Sequence, residues 1–405
     1  MENSWKKNIA LFLLSQTLSL FGSSLVQYAI MWYITLHTES GSMMTVYIIC
    51  GFLPTFFLSP FAGVWADRYN RKKLIMLSDS FIAVTTLILA ILFLMGQGSI
   101  LLLLFASVLR AVGSGIQMPA VGAIIPQLVP ENQLTRINGI NNSIQALTTL
   151  VSPMFSGLLF SLTTIEKIFF IDVVTAAIAV LILMFFLRVP SPVKSHNLAE
   201  VSYFKDLHEG IVYIKNHAYV KKFFLFCAFF IFLAAPASFL TPLQVARSFG
   251  EEVWRLTAIE IAFSSGMILG GLIMASWGGL KNRIHTMTLS CFIFGVCTFL
   301  LGLIPVFSLY LLVMLICGIF MPFFNTPATV LLQEKVEPDL LGRVFSVLSM
   351  ISSSMMPLGM LVFGPLADLV RIELLLVGTG FLLCIQSFFL IGSKELVEAG
   401  KPSAG

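Results

Sequence analysis

Four charged side chains lie inside long apolar stretches of this sequence: Arg110, Asp79, Asp172 and Glu260. A charge in such a stretch is costly unless it meets a partner or a wet cavity, so residues of this kind mark ion paths and ligand sites. Arg110 lies about ten residues into its stretch, roughly 15 Å along a helix at 1.5 Å per residue, and needs an anion or a set of carbonyls close by. The three acids are carboxyls that could carry a proton or meet a cationic ligand. Other apolar stretches carry uncharged polar residues at helical spacing. Gln16, Ser19, Ser23 and Gln27 form one stripe; Asn138, Asn141, Asn142, Gln145, Thr148, Thr149 and Ser152 form a second; Ser346, Ser349, Ser352 and Ser353 form a third, and Asn325 stands apart. Hydrocarbon cannot solvate these groups, so they either bond across helices or line a cavity. Gln16, Ser23, Gln27, Asn138, Asn142, Gln145, Asn325, Ser349 and Ser353 are the cavity candidates.

One polar turn stands out: Gly63-Val64-Trp65-Ala66-Asp67-Arg68-Tyr69-Asn70-Arg71-Lys72-Lys73. A glycine there permits close helix approach, Asp67 ends one helix, and Arg68, Arg71 and Lys72 follow a tight turn. Asp67 can pair with Arg71 or with a neighbouring helix end, a charge lock that sliding helices would break. A similar string, Gly364-Pro365-Leu366-Ala367-Asp368, ends a later span on the opposite side and by topology cannot take that role.

The elements that must hold these residues follow from composition. Of 405 residues, 58% are apolar and 11% charged, with a mean hydropathy of +0.95. Soluble domains are roughly 45–50% apolar and about 25% charged, so a soluble globule is excluded and the chain is an all-α integral membrane protein. Apolar runs bounded by charge, Gly or Pro give twelve spans, at 8–36, 43–66, 74–95, 100–129, 137–162, 168–187, 223–246, 258–279, 286–305, 308–333, 344–367 and 374–392. Each is long enough to cross about 30 Å of hydrocarbon. With the N-terminus inside, nineteen Lys and Arg fall in inner segments, four in outer loops and Arg110 within a span, which places both termini in the cytoplasm.

The longest polar interruption divides the chain into an N-terminal six-helix bundle at 1–187, a cytoplasmic linker at 188–222 and a C-terminal six-helix bundle with a short tail at 223–405. Phe204, Leu207, Ile211 and Ile214 in the linker suit an amphipathic helix on the inner leaflet. Pro130-Glu131-Asn132-Gln133-Leu134-Thr135-Arg136 and Pro338-Asp339-Leu340-Leu341-Gly342-Arg343 occupy equivalent loops of the two bundles and imply a duplicated unit. The net charge of +4 is small and leaves no nucleic-acid footprint. The six cysteines all sit in apolar stretches without metal spacing and read as core. No phosphate-binding Gly-Lys loop or hydrolase motif occurs, so no metal or cofactor is expected, and energy must come from an ion or substrate gradient.

The turn at Gly63, Ala66, Asp67, Arg68, Arg71 and Lys72 resembles the signature of the major facilitator superfamily, with Trp65 for Leu and Asn70 for Gly. Asn tolerates a left-handed turn better than most residues, so that departure is mild. Arg110-Ala111-Val112-Gly113-Ser114-Gly115 is similar to the superfamily's fourth-helix pattern, in which the Arg is linked to proton transfer. Gly139, Thr148, Ser152-Pro153 and Ser156-Gly157 have the spacing of its antiporter motif, where bending occurs at the proline. Nearly the whole chain resembles the macrolide-efflux branch. The resemblance implies the major facilitator fold, twelve helices in two halves, with the third helix of each triplet peripheral, so that Glu260 is the best placed acid and Asp79 and Asp172 lie outside the cavity. It implies proton-driven export of a lipophilic drug such as a macrolide, across a bacterial plasma membrane, by a monomer that is not an enzyme. The alternatives are a transporter of a siderophore, lysolipid or other metabolite, or a non-transporting receptor or subunit.

Overall fold

The computed structural model describes residues 2–187, 189 and 211–401. Twelve helices among them are long and apolar enough to cross a membrane. They are α1 (Glu2–Thr38), α2 (Gly41–Arg68), α3 (Arg71–Leu94), α4 (Ile100–Leu128), α5 (Leu134–Leu162) and α6 (Ile165–Leu181), the last continued by a π turn, Ile182–Phe186. There follow α7 (Ala218–Phe249), α8 (Val253–Trp277), α9 (Arg283–Leu301), α10 (Phe307–Lys335), α11 (Pro338–Leu369) and α12 (Ile372–Gly392), and a short tail helix, α13 (Lys394–Ala399). A helix closes its backbone hydrogen bonds within one segment, which is why apolar runs of this length become helices in lipid. No strand occurs among the described residues.

The helices run past the apolar stretches and leave very short turns. Two residues, Tyr69 and Asn70, join α2 to α3, and two, Val336 and Glu337, join α10 to α11. Asn70 is not left-handed as the sequence suggests: its φ is −67° and its side chain caps α3 by accepting from Lys73 N at 3.2 Å. Its value is as a helix cap, which Asn serves well. Pro236 lies inside α7, where the helix breaks at Leu240. Five further helices hold internal prolines: Pro54 and Pro60 in α2, Pro119 and Pro126 in α4, Pro153 in α5, Pro322 and Pro327 in α10, Pro357 and Pro365 in α11.

The described residues form two compact units: Met1–His37 with Val46–Asn197, and Thr38–Thr45 with Leu198–Gly405. The start of α2 thus packs with the second unit while the rest of α2 belongs to the first. In the first unit α3 lies against α4 and α6, and Ile9, Phe12, Ile75, Ile124, Leu128 and Leu183 meet in one buried cluster. In the second, α8 packs on α10 and α9 on both α10 and α12. Of the linker helix, Phe204 and Leu207 lie outside the described residues, whereas Ile211 and Ile214 are helical and half-buried.

Candidate functional site

Three charged side chains are buried among the described residues, and all three lie in the first unit. Asp172, on α6, is fully buried and Arg110, on α4, is 8% exposed. Arg110 Nη1 donates to Asp172 Oδ2 at 2.5 Å, so the cation that the sequence leaves without a partner has one from a helix expected to be peripheral. Thr86 of α3 donates to the same oxygen at 3.0 Å and accepts a short bond from Arg110. Ser23 of α1 completes the group: its hydroxyl donates to Asp172 Oδ1 at 3.2 Å and its carbonyl accepts from Arg110 Nη2 at 3.2 Å. Both oxygens of Asp172 are satisfied and its charge is matched, which is what a buried ion pair needs if it is not to cost stability.

Asp79, on α3 and 1% exposed, is built differently. Ser19 Oγ donates to its Oδ1 at 2.6 Å, and Gln117 Nε2 of α4 donates to the same atom at 2.5 Å. Among the described residues no cation pairs with it, and Oδ2 is buried without a hydrogen-bond partner. Glu260, the acid that the sequence favours, is half-buried on α8 and makes no hydrogen bond or ion pair among the described residues.

The cations of the signature turn grip helix ends. Arg71 donates from Nε to Ala66 O at 2.8 Å and from Nη1 to Ala123 O at 2.6 Å, tying α2 to α4. Lys72 Nζ donates to the carbonyls of Met184 and Leu187 at the end of the sixth span. Cations at helix C-termini meet the negative end of the helix dipole. Arg68 is exposed, and the side chain of Asp67 lies outside the described residues. Gly63 is not used for close approach, since nothing lies within 4 Å of where a Cβ would stand. The look-alike Asp368, at the end of α11, is the better connected acid. Its Oδ1 accepts from Gly41 N at 2.7 Å and Arg247 Nη2 at 3.0 Å, and its Oδ2 from Ser42 N at 2.9 Å and Ser40 Oγ at 2.8 Å. An acid at the first turn of α2 receives backbone amides that have no partner within the helix.

The polar stripes are largely open. Gln27, Asn138, Asn142, Gln145, Asn325, Ser349 and Ser353 are exposed, and Gln16 and Ser23 are half-buried. In the antiporter-like segment Gly139 is exposed, while Ser152, Pro153 and Gly157 are buried. There Ser156 Oγ donates to Leu25 O at 3.0 Å, joining α5 to α1. No cluster of His, Cys, Asp or Glu suited to a metal occurs among the described residues.

Residues 12–360 match the model of the Major Facilitator Superfamily. The chain belongs to that superfamily. This member is 31% identical over 387 residues to macrolide efflux protein A of Streptococcus pyogenes, with 95% of each chain covered. It is 31% identical over 323 residues to macrolide efflux protein A of Enterococcus faecalis, covering 79% of this chain and all of that one. In fold the superfamily member is similar to a bacterial homolog of the human lysosomal transporter Spinster, with a TM-score of 0.69 at 15% identity over the whole of both chains. It is a multi-pass membrane protein of a family of transporters that handle small molecules.

Proposed function

We propose that the protein exports lipophilic, basic drugs of the macrolide class across the bacterial plasma membrane in exchange for protons, by alternating access and with both termini in the cytoplasm. The observation that carries the substrate class is the 31% identity, over 95% of both chains, to a macrolide efflux protein. Coupling to protons is supported by the buried group of Arg110, Asp172 and Asp79, since charges at such depth are retained where an ion is moved. Each unit carries an exposed polar stripe, Asn138, Asn142 and Gln145 on α5 and Ser349 and Ser353 on α11, of the kind that hydrogen-bonds an oxygen-rich ligand. Glu260 is the acid of the second unit that could attract its amine.

Cells expressing the protein should accumulate less radiolabelled macrolide than cells carrying an empty vector. Inverted membrane vesicles should take the drug up, and a protonophore should abolish that uptake. Equal accumulation in both strains removes the substrate reading, and uptake that survives the protonophore removes the coupling.

A further inference from the structure

The two buried carboxyls of the first unit differ in a way that separates their roles. Asp172 has a cation on Oδ2 and a hydroxyl on each oxygen, so adding a proton there breaks existing bonds and strands Arg110. Asp79 has donors on Oδ1 alone, and Oδ2 is buried with no partner. An anionic oxygen buried without a donor costs more than a neutral one, because a charge taken out of water must be matched. One helical turn before Ser19, the hydroxyl that holds Asp79, α1 carries Gln16, whose Nε2 is also buried with no acceptor. Gln16 lies three residues before Ser19 and so shares its face of α1, one turn from the serine that holds Asp79.

We propose that Asp79 is the carboxyl that takes up and releases the coupled proton, and that Gln16 is the donor that receives its Oδ2 when the proton leaves. Arg110 and Asp172 stay an ion pair throughout and set the field in which Asp79 titrates. This assignment rests on the proton-coupled reading above. The groups around Asp79 are few. α1 presents Ser19, with Gln16 one turn before it, α4 presents Gln117 with Arg110 already committed, and α6 presents Asp172. On α3 itself Arg71 and Lys72 bond to carbonyls at helix ends, and Lys73 lies beside them in its first turn. In the balanced step the Asp79 O–H bond breaks, the proton passes to water, and the carboxylate accepts the Gln16 N–H.

Infrared difference spectra of the purified full chain in lipid vesicles, taken across pH without any drug, test this apart from the transport reading. The wild type should show the carbonyl stretch of a neutral carboxylic acid that bleaches as pH rises. Asp79→Asn should lack that band and Glu260→Gln should keep it. Gln16→Leu should keep it and move its loss upward by about 1–2 pH units, the worth of one hydrogen bond to a charged group. A wild type with no such band, a band that persists in Asp79→Asn, or a midpoint unmoved in Gln16→Leu overturns the assignment. So does a band that bleaches with added sodium at fixed pH, which would make Asp79 a sodium ligand. A band that behaves as expected in a protein that moves no macrolide would keep the assignment and reject only the substrate.

Discussion

Asn70 caps α3 and Asn282 caps α9, each followed by an arginine, and each accepts a backbone N–H from the first turn. Counting on from these caps sets Asp79 against Cys291 and Thr86 against Thr298. In the next helices Gly115-Ile116-Gln117-Met118-Pro119 of α4 matches Gly318-Ile319-Phe320-Met321-Pro322 of α10, which sets Arg110 against Val313 and Gln117 against Phe320. The starts of α6 and α12, Ile165-Glu166 and Ile372-Glu373, set Asp172 against Thr379. Cys291, Thr298, Val313 and Thr379 are all buried. Even the packing repeats: a methyl on Gly115 would lie 3.1 Å from Cα of Thr55 on α2, and one on Gly318 would overlap the carbonyl of Phe263 on α8. The second unit is therefore an uncharged copy of the first at the same buried positions. Backbone packing has been kept in both copies, and the buried charges stand in one.

The largest effect should come from making the first unit resemble the second one residue at a time. Arg110→Val leaves Asp172 buried and unmatched, a loss of about 3–5 kcal/mol, read as a lowered melting temperature in detergent. The double variant Arg110→Val with Asp172→Thr copies Val313 and Thr379 and should recover most of that stability while abolishing proton-driven uptake. A double variant as unstable as the single one would break the comparison.

Glycine contacts probe the half of the comparison that has been kept. Gly318→Ala should cost about 1–3 kcal/mol through overpacking, and Gly115→Ala less, because the Cα at 3.1 Å is a tight neighbour that must give slightly rather than an overlapping carbonyl. Thermal unfolding of the two variants side by side gives the order, and the reverse order would mean that the α2 to α4 contact is the tighter.

The acids at helix ends should matter less. Asp368→Asn keeps an acceptor for only one of the amides of Gly41 and Ser42, which bond to different carboxylate oxygens, and loses the ion pair with Arg247, at a cost of about 1–2 kcal/mol. Asp368→Ala removes the remaining acceptor as well and should lower the melting temperature further; equal losses would mean that the acceptor kept by Asn contributes nothing.

The smallest effect belongs to Lys222 and Glu395, 2.7 Å apart and open to water. The hydrogen bond from Lys222 holds the Glu395 carboxyl at about 2. Whatever this pair contributes is present above the ordinary carboxylate range and lost as pH falls through about 2. Glu395→Gln should leave the melting temperature at neutral pH unchanged, and salt should screen the pair in the wild type.

Much of the molecule was legible in residue order. Twelve spans followed from apolar runs, because the cost of placing a helix in lipid is close to a sum over its residues. The signature turn and the spacing around Arg110 carried the superfamily resemblance, and the polar stripes of α5 and α11 marked faces that the structure leaves open. The buried acids were legible as anomalies, and their partners were not. The repeat joining Gly115–Pro119 to Gly318–Pro322 was a signal in the sequence that would have shown Arg110 and Gln117 as departures from a neutral copy.

Tertiary structure alone decided which charges meet. Arg110 and Asp172 are 62 residues apart and Ser19 and Asp79 are 60 apart, and whether such pairs touch depends on the rotation of each helix about its axis. That rotation is set by contacts such as Gly115 on Thr55 and Ser156 on Leu25, which involve shape rather than hydropathy. The rule that the third helix of each triplet is peripheral set Asp79 and Asp172 apart from the cavity but said nothing of their burial, and the structure buries both on the faces of α3 and α6 that pack within the first unit. Length and apolarity are local properties that a chain carries before it folds. The matching of a buried charge is a property of three or four helices at once, and it exists only when they have packed.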